Sequence, residues 1–114
     1  MNPKVAVVYQ PHQNLRQHEI QKDGGYGDSF SGADKIFWTP TYLVRGDLIE
    51  GALAVLNPDD LISGLDKKSR KNAVSVKLDD GLWAKITELK NDNYLVIIMG
   101  AGPIDDWARS LVTQ

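Results

Sequence analysis

No cysteine occurs among the 114 residues. Neither a disulfide nor a thiolate metal site can therefore form, and the absence is compatible with a cytoplasmic location. Net charge is nearly absent as well. The 13 basic and 15 acidic side chains leave −2, which gives no electrostatic case for nucleic acid or an anionic membrane as partner. No apolar run approaches the ~18 residues of a membrane span. The N-terminus offers only Lys4 and the short run Val5 to Tyr9, too little for a signal-peptide core. Histidine is scarce, with His12 and His18 lacking a paired acid nearby, so no metal site is expected. No Ser/His/Asp arrangement of recognisable spacing and no H-E-x-x-H occurs, so no catalytic residue is assigned.

What remains is an ordinary globular composition, 42% apolar and 25% charged, without internal repeat or linker. One domain over 1–114 is expected, with roughly two thirds of the unfolded surface buried. Val5-Ala6-Val7-Val8-Tyr9 is a β-branched apolar run and reads as a strand buried on both faces. Pro11 stops it, because it has no N–H for the ladder. Asn14 is expected to cap a helix over 15–21 with Leu15 and Ile20 as its apolar positions. Asp23 to Asp28 is glycine-rich and reads as a mobile loop rather than a phosphate loop, since no strand precedes it and no Gly-Lys-Ser/Thr ends it.

A second strand spans 35–39 and ends at Pro40. Residues 48–56 are ambiguous, helical in spacing but weakened by Gly51. Asn57-Pro58-Asp59-Asp60 starts a helix, with a cap, proline at the first position and acids in the first turn. Residues 66–72 read as a solvated basic linker. A short strand spans 73–76. A helix capped by Asp79 or Asp80 runs to Lys90, with Leu82, Ile86 and Leu89 on one face. Tyr94 to Met99 is fully apolar and is expected to be the central strand. Ile104, Trp107, Ala108, Leu111 and Val112 then mark an amphipathic last helix. Alternating strands and helices predict an α/β fold, a Rossmann-like three-layer domain with a mostly parallel sheet flanked by helices.

In such sheets, ligands bind beyond the C-terminal ends of the strands. Two places there carry suitable chemistry. After the first strand, His12, Gln13, Asn14 and Arg16 crowd polar groups onto one turn. An Arg fork binds a carboxylate or phosphate bidentately, and a His can donate a hydrogen bond or act as a base. The plain alternative is a turn with solvated side chains. After the last strand, Gly100-Ala101-Gly102 opens a helix. It is either a tight strand-to-helix turn or an anion-binding turn that uses the helix N–H groups.

The residues of the first turn also resemble a known family. Gln10, Pro11, His12 and Arg16 match the Q-P-H-R-Y-x-R pattern that follows an apolar strand in the C-terminal domain of Mur ligases, most like the L-alanine-adding members. Gln13 stands where the family has Arg, and Asn14 where it has Tyr. Ala33-Asp34-Lys35-Ile36 resembles the family's A-D-x-V/I strand entry, Tyr42 resembles the Tyr that follows that strand, and Leu95 to Gly102 with Ile104 resembles L-V-L-x-M-G-A-G-x-I. The resemblance runs in order from about Lys4 to Leu111.

The resemblance implies a Rossmann-like domain of a peptidoglycan-forming ligase. Such ligases join an amino acid to a UDP-muramyl precursor in the cytoplasm, with ATP and magnesium, through an acyl phosphate. It implies that Arg16 holds the carboxylate of the incoming amino acid, with His12, Gln13 and Tyr42 in the same pocket. The family's phosphate loop and its D-Y-x-H-H-P segment do not occur in this sequence. ATP and magnesium would therefore belong to the N-terminal and central ligase domains, and the chain alone should be inactive. An edge strand supplied elsewhere in the native protein would leave the isolated chain with an exposed sheet edge, available for pairing with another chain. The alternative function is a non-enzymatic α/β module binding a small anion or a protein partner.

Overall fold

The computed structural model describes residues 3–100 and 102–112, with side chains described as far as Ser110. Four strands, β1 (Lys4–Tyr9), β2 (Lys35–Trp38), β3 (Ala73–Ser75) and β4 (Tyr94–Met99), form one sheet in the order β3-β2-β1-β4. All neighbours run parallel. Five helices connect or follow them: α1 (Asn14–Lys22), α2 (Pro58–Ile62), α3 (Lys67–Asn72), α4 (Asp80–Asn91) and α5 (Pro103–Val112).

Strand pleat divides the core in two. On one face Ala6, Val8 and Phe37 pack against Leu82, Ile86 and Leu89 of α4 and Ile104 of α5. On the other, Val7, Ile36 and Trp38 pack against Phe30, Ala33, Leu61 and Leu65. That second core is aromatic. The Trp38 ring meets Tyr9, Tyr26 and Phe30 edge-on, with centroids 5.0 to 5.4 Å apart.

The expected α/β parallel architecture is present, and β1 is an inner strand as its unbroken apolar run requires. The position of β4 is a correction. It pairs only with β1 and lies at the sheet edge. One side of it is covered by α4 and α5, but Leu95, Ile97 and Met99 on the other are 52%, 40% and 41% exposed. An apolar strand sequence reports what the strand must eventually bury, not which neighbours this chain supplies.

Two further readings are corrected, and the ambiguity over residues 48–56 is resolved. Residues 67–72 are helical rather than a loop, because the Asp66 carboxylate accepts from the Ser69 amide at 2.9 Å and caps them. Residues 48–56 are not a helix; a 3₁₀ turn at Arg45–Asp47 precedes them, and Leu48, Ile49 and Leu53 are exposed. The glycine segment is pinned at two points, with the Gly27 amide donating to the Gly64 carbonyl at 2.9 Å and the Asp66 amide to the Gly27 carbonyl at 2.9 Å. Gly25 has φ +80°, and a Cβ there would lie 2.8 Å from Gly64 Cα, so glycine serves a backbone crossing.

Candidate functional site

The site grows from the end of β1. Pro11 ends the ladder, but Gln10 just before it is buried and ties three segments together. Its amide donates to Met99 O at 3.0 Å, its Nε2 donates to Pro40 O at 3.3 Å, and its Oε1 accepts from the Ile104 amide at 3.1 Å. The ends of β1, β2 and β4 are thereby clamped to the start of α5. A buried Gln at a strand end is legible in sequence only as a polar residue, so the clamp emerges only in the tertiary structure.

His12 and Tyr42 come from adjoining strand exits and stack, with ring centroids 5.5 Å apart and planes 18° from parallel. Their backbones hold the rings in register: the Tyr42 amide donates to Pro11 O at 2.8 Å and the Gln13 amide to Tyr42 O at 2.9 Å. Both side chains are exposed at the C-terminal end of the sheet. Gly102 completes the wall, since a Cβ at this position would lie 3.1 Å from Tyr42 Cε1.

Gln13, not Asn14, precedes α1, and its φ of 63° is in the left-handed region. Its side chain makes no cap, and the cap arrives from a distant segment. The buried Asp47 carboxylate accepts from the amides of Asn14 at 3.0 Å, Leu15 at 3.3 Å and Val44 at 2.9 Å. These bonds, Val44's foremost and then those of Asn14 and Leu15, together with nearby His12, hold its carboxyl below the ordinary carboxylate range. Asn14 is freed for another task. Its Nδ2 donates to Leu53 O and Ala54 O, both at 3.1 Å, and its Oδ1 accepts from the Leu56 amide at 2.9 Å. His18 joins this seam, its Nε2 lying 2.7 Å from Ala54 O. The seam explains a further departure from expectation. The residues α1 buries are Asn14 and Gln17, while Leu15 is exposed.

Arg16 lies in the first turn of α1, and its Nη1 pairs with Glu19 Oε2 at 3.1 Å. Both side chains are more than half exposed. Such a surface pair is worth about 0–1 kcal/mol, so the fork is readily released to another carboxylate. The structure brings His12, Gln13, Tyr42 and Gly102 together, and Arg16 stands on the helix that His12 and Gln13 lead into.

Of the glycine turn, Ala101 lies outside the described residues. Gly100 has φ +142°, and a Cβ there would lie 2.9 Å from Gln10 O, so this glycine serves close packing. At the start of α5, Pro103 has no N–H, the Ile104 amide is held by Gln10, and the Asp105 amide donates to Gly102 O at 3.0 Å. The amides at the start of α1 are held by Asp47. The Asn14 and Leu15 amides of α1 and the Ile104, Asp105 and Asp106 amides of α5 are thus already engaged and are not turned toward a nucleotide phosphate. Among the described residues no cluster of His, Asp or Glu is placed to hold a metal ion, so these residues do not fit ATP with magnesium.

The fold and this shelf define a parallel α/β domain with an open, polar site at its strand ends. No protein-family model matches the chain. Individual relatives do. The chain is 32% identical over 108 residues to the UDP-N-acetylmuramate–L-alanine ligase of Jannaschia sp. (strain CCS1), and the match covers 95% of this chain and 22% of that protein. The ligase of the same name from Methylobacterium nodulans is also 32% identical, with the same coverage. That of Agrobacterium fabrum is 27% identical over 111 residues, 97% of this chain and 22% of the relative. The chain is homologous to the C-terminal part of UDP-N-acetylmuramate–L-alanine ligases, and it spans about a fifth of their length.

Proposed function

We propose that this domain positions the incoming amino acid in an ATP-dependent UDP-N-acetylmuramate–L-alanine ligase of the bacterial cytoplasm. The observation that carries the reading is the His12–Tyr42 stack, fixed at the strand ends one helical turn from an exposed Arg16. In this reading the Arg16 fork exchanges Glu19 for the substrate carboxylate. His12, Gln13 and Tyr42 line the same pocket. Holding the carboxylate leaves the amine free to attack the acyl carbon of a UDP-muramyl acyl phosphate. The new C–N bond forms as phosphate leaves, and the amine loses a proton. The contribution of this domain is orientation and charge complementarity, not covalent catalysis. ATP, magnesium and the UDP-muramyl precursor would be bound by the N-terminal and central ligase domains. The Ile104 and Asp105 amides that follow the glycine turn are engaged, which supports Gly100 and Gly102 as wall rather than cradle.

The test is a chimera in which the matched C-terminal part of the Jannaschia ligase is replaced by this chain. Arg16→Ala is expected to raise the KM for L-alanine at least tenfold, with a much smaller change in kcat. A KM equal to that of the unsubstituted chimera would remove Arg16 from the substrate site.

A further inference from the structure

Gln17 closes the first turn of α1, and although polar it is only 2% exposed. Its Nε2 donates to the His12 carbonyl at 2.9 Å. A carbonyl can only accept, so this bond fixes the orientation of the side-chain amide and turns Oε1 the other way. There Oε1 accepts from the Tyr26 hydroxyl, which uses the single proton of that hydroxyl. The Tyr9 hydroxyl lies 2.9 Å from that of Tyr26 and must therefore be the donor in their pair. Burial, and next the bond with Tyr9, pushes the Tyr26 hydroxyl above the ordinary tyrosine range, so its proton stays in place. The result is a one-way chain from Tyr9 through Tyr26 and Gln17 to the carbonyl of His12. Bonds linked in this way polarise and strengthen one another.

The chain ends where the backbone is strained. Gln13, the next residue, has φ 63° and ψ 116°, a combination that a residue with a Cβ rarely holds. Such a geometry persists only where its surroundings over-determine it. The Gln13 amide donates to Tyr42 O at 2.9 Å, and the Asn14 amide donates to Asp47 Oδ2 at 3.0 Å. Gln17 supplies the rest. Its side chain holds the carbonyl before the strained residue, that of His12, and its own amide donates at 3.1 Å to the carbonyl of Gln13 itself. The strained link joins the His12–Tyr42 stack to the helix that carries Arg16.

We propose that Gln17 is a positioning residue for the amino-acid site, and that Tyr26 acts through it. The grip on both carbonyls sets His12 against Tyr42. Anchoring Gln17 on the core side also fixes the rotation of the first turn of α1, which turns the neighbouring Arg16 outward beside the stack. Neither Gln17 nor Tyr26 touches the substrate; both act through His12 and Arg16. The proposal rests on the reading of the shelf as an amino-acid site.

Gln17→Leu replaces the amide by an apolar side chain of similar size and removes both of its bonds, whereas Tyr26→Phe removes only the donor to Gln17. In the Jannaschia chimera, assayed well below its melting temperature, Gln17→Leu is expected to raise the KM for L-alanine roughly fivefold with kcat nearly unchanged, and Tyr26→Phe to raise it about twofold. The double variant should match Gln17→Leu alone, because both changes break one chain. In the 114-residue chain, without substrate, Gln17→Leu should shift the NMR signals of the His12 and Tyr42 rings and speed exchange of the Gln13 amide about tenfold. If Gln17→Leu fails to fold, Tyr26→Phe carries the same readouts. A lower melting temperature with unchanged KM would make Gln17 a packing residue and overturn the proposal. So would effects of the two substitutions that add in full. Arg16→Ala separates this proposal from the reading beneath it. If Arg16→Ala raises KM and Gln17→Leu does not, the positioning role alone is refuted. If Arg16→Ala leaves KM unchanged while Gln17→Leu shifts the His12 and Tyr42 signals, the amino-acid role is refuted and Gln17 is left as a residue that sets the shelf.

Discussion

The Asp47 carboxylate caps a helix that begins 33 positions earlier in sequence, accepting from the Asn14 amide at 3.0 Å. The Asn14 side chain in turn holds Leu53, Ala54 and Leu56. The two residues lock the loop after Tyr42 onto α1, which carries Arg16. The shelf at the strand ends is therefore set by a reciprocal pair, neither member of which faces the proposed substrate.

The Asp47 bond has a pH signature. Its folded carboxyl lies below the unfolded value of about 4. Its stabilising contribution is complete above that value and drains away as pH falls through the folded pKa. Asp47→Asn should melt at a lower temperature than the parent at neutral pH and show a flatter loss of stability below about pH 4. Thermal melts from pH 2 to 7 test this, and parallel curves for the two proteins would remove Asp47 from the acid limb.

Asn14→Ala strands the Leu56 amide and two carbonyls at a nearly closed site, with Asn14 only 1% exposed. Leaving buried partners unsatisfied costs about 1–3 kcal/mol each before relaxation, so a loss of roughly 2–3 kcal/mol is expected from urea unfolding. A loss below about 0.5 kcal/mol, the range of ordinary surface substitutions, would mean that water replaces the side chain.

Arg16→Ala should do the opposite. Its only described ion pair is exposed and three residues away on its own helix, so stability should change by less than about 0.5 kcal/mol. A large destabilisation would make Arg16 a scaffold residue and undercut its proposed substrate role.

Gly102→Ala forces φ +72° on a residue with a Cβ and presses it to 3.1 Å from the Tyr42 ring. The left-handed conformation alone costs roughly 1–2 kcal/mol. The expected result is that loss in denaturant unfolding, together with changed amide shifts at His12 and Tyr42. Unchanged shifts at both would show that the wall does not depend on this contact.

The two sides of β4 provide a contrast within the free chain. Ile86, 1% exposed against the inner face, should cost about 2–5 kcal/mol as Ile86→Ala. Ile97→Ala on the bare side should cost about 1 kcal/mol, since the residue is 40% exposed and less apolar area is lost from cover. Equal losses would place both residues in a closed core.

The local signals were read from the sequence because they are chemical and short-range. Val5 to Tyr9 gave an inner strand, Pro11 its end, and Asn57-Pro58-Asp59-Asp60 a helix start that the structure keeps, with Asn57 Oδ1 accepting from the Asp60 amide at 2.9 Å. The parallel α/β class follows from the alternation of elements, His12 and Arg16 stand out as polar groups beyond a strand end, and Tyr42 enters through the family resemblance. The partnerships that hold the shelf were decided only in the tertiary structure. Asp47 displaces Asn14 as the cap, Gln10 links three strand ends, and β4 lies at the edge although its sequence is that of an inner strand. Composition and periodicity determine which groups must be buried or bonded. Which distant group satisfies them depends on chain crossings tens of residues apart, and those are fixed when the sheet assembles.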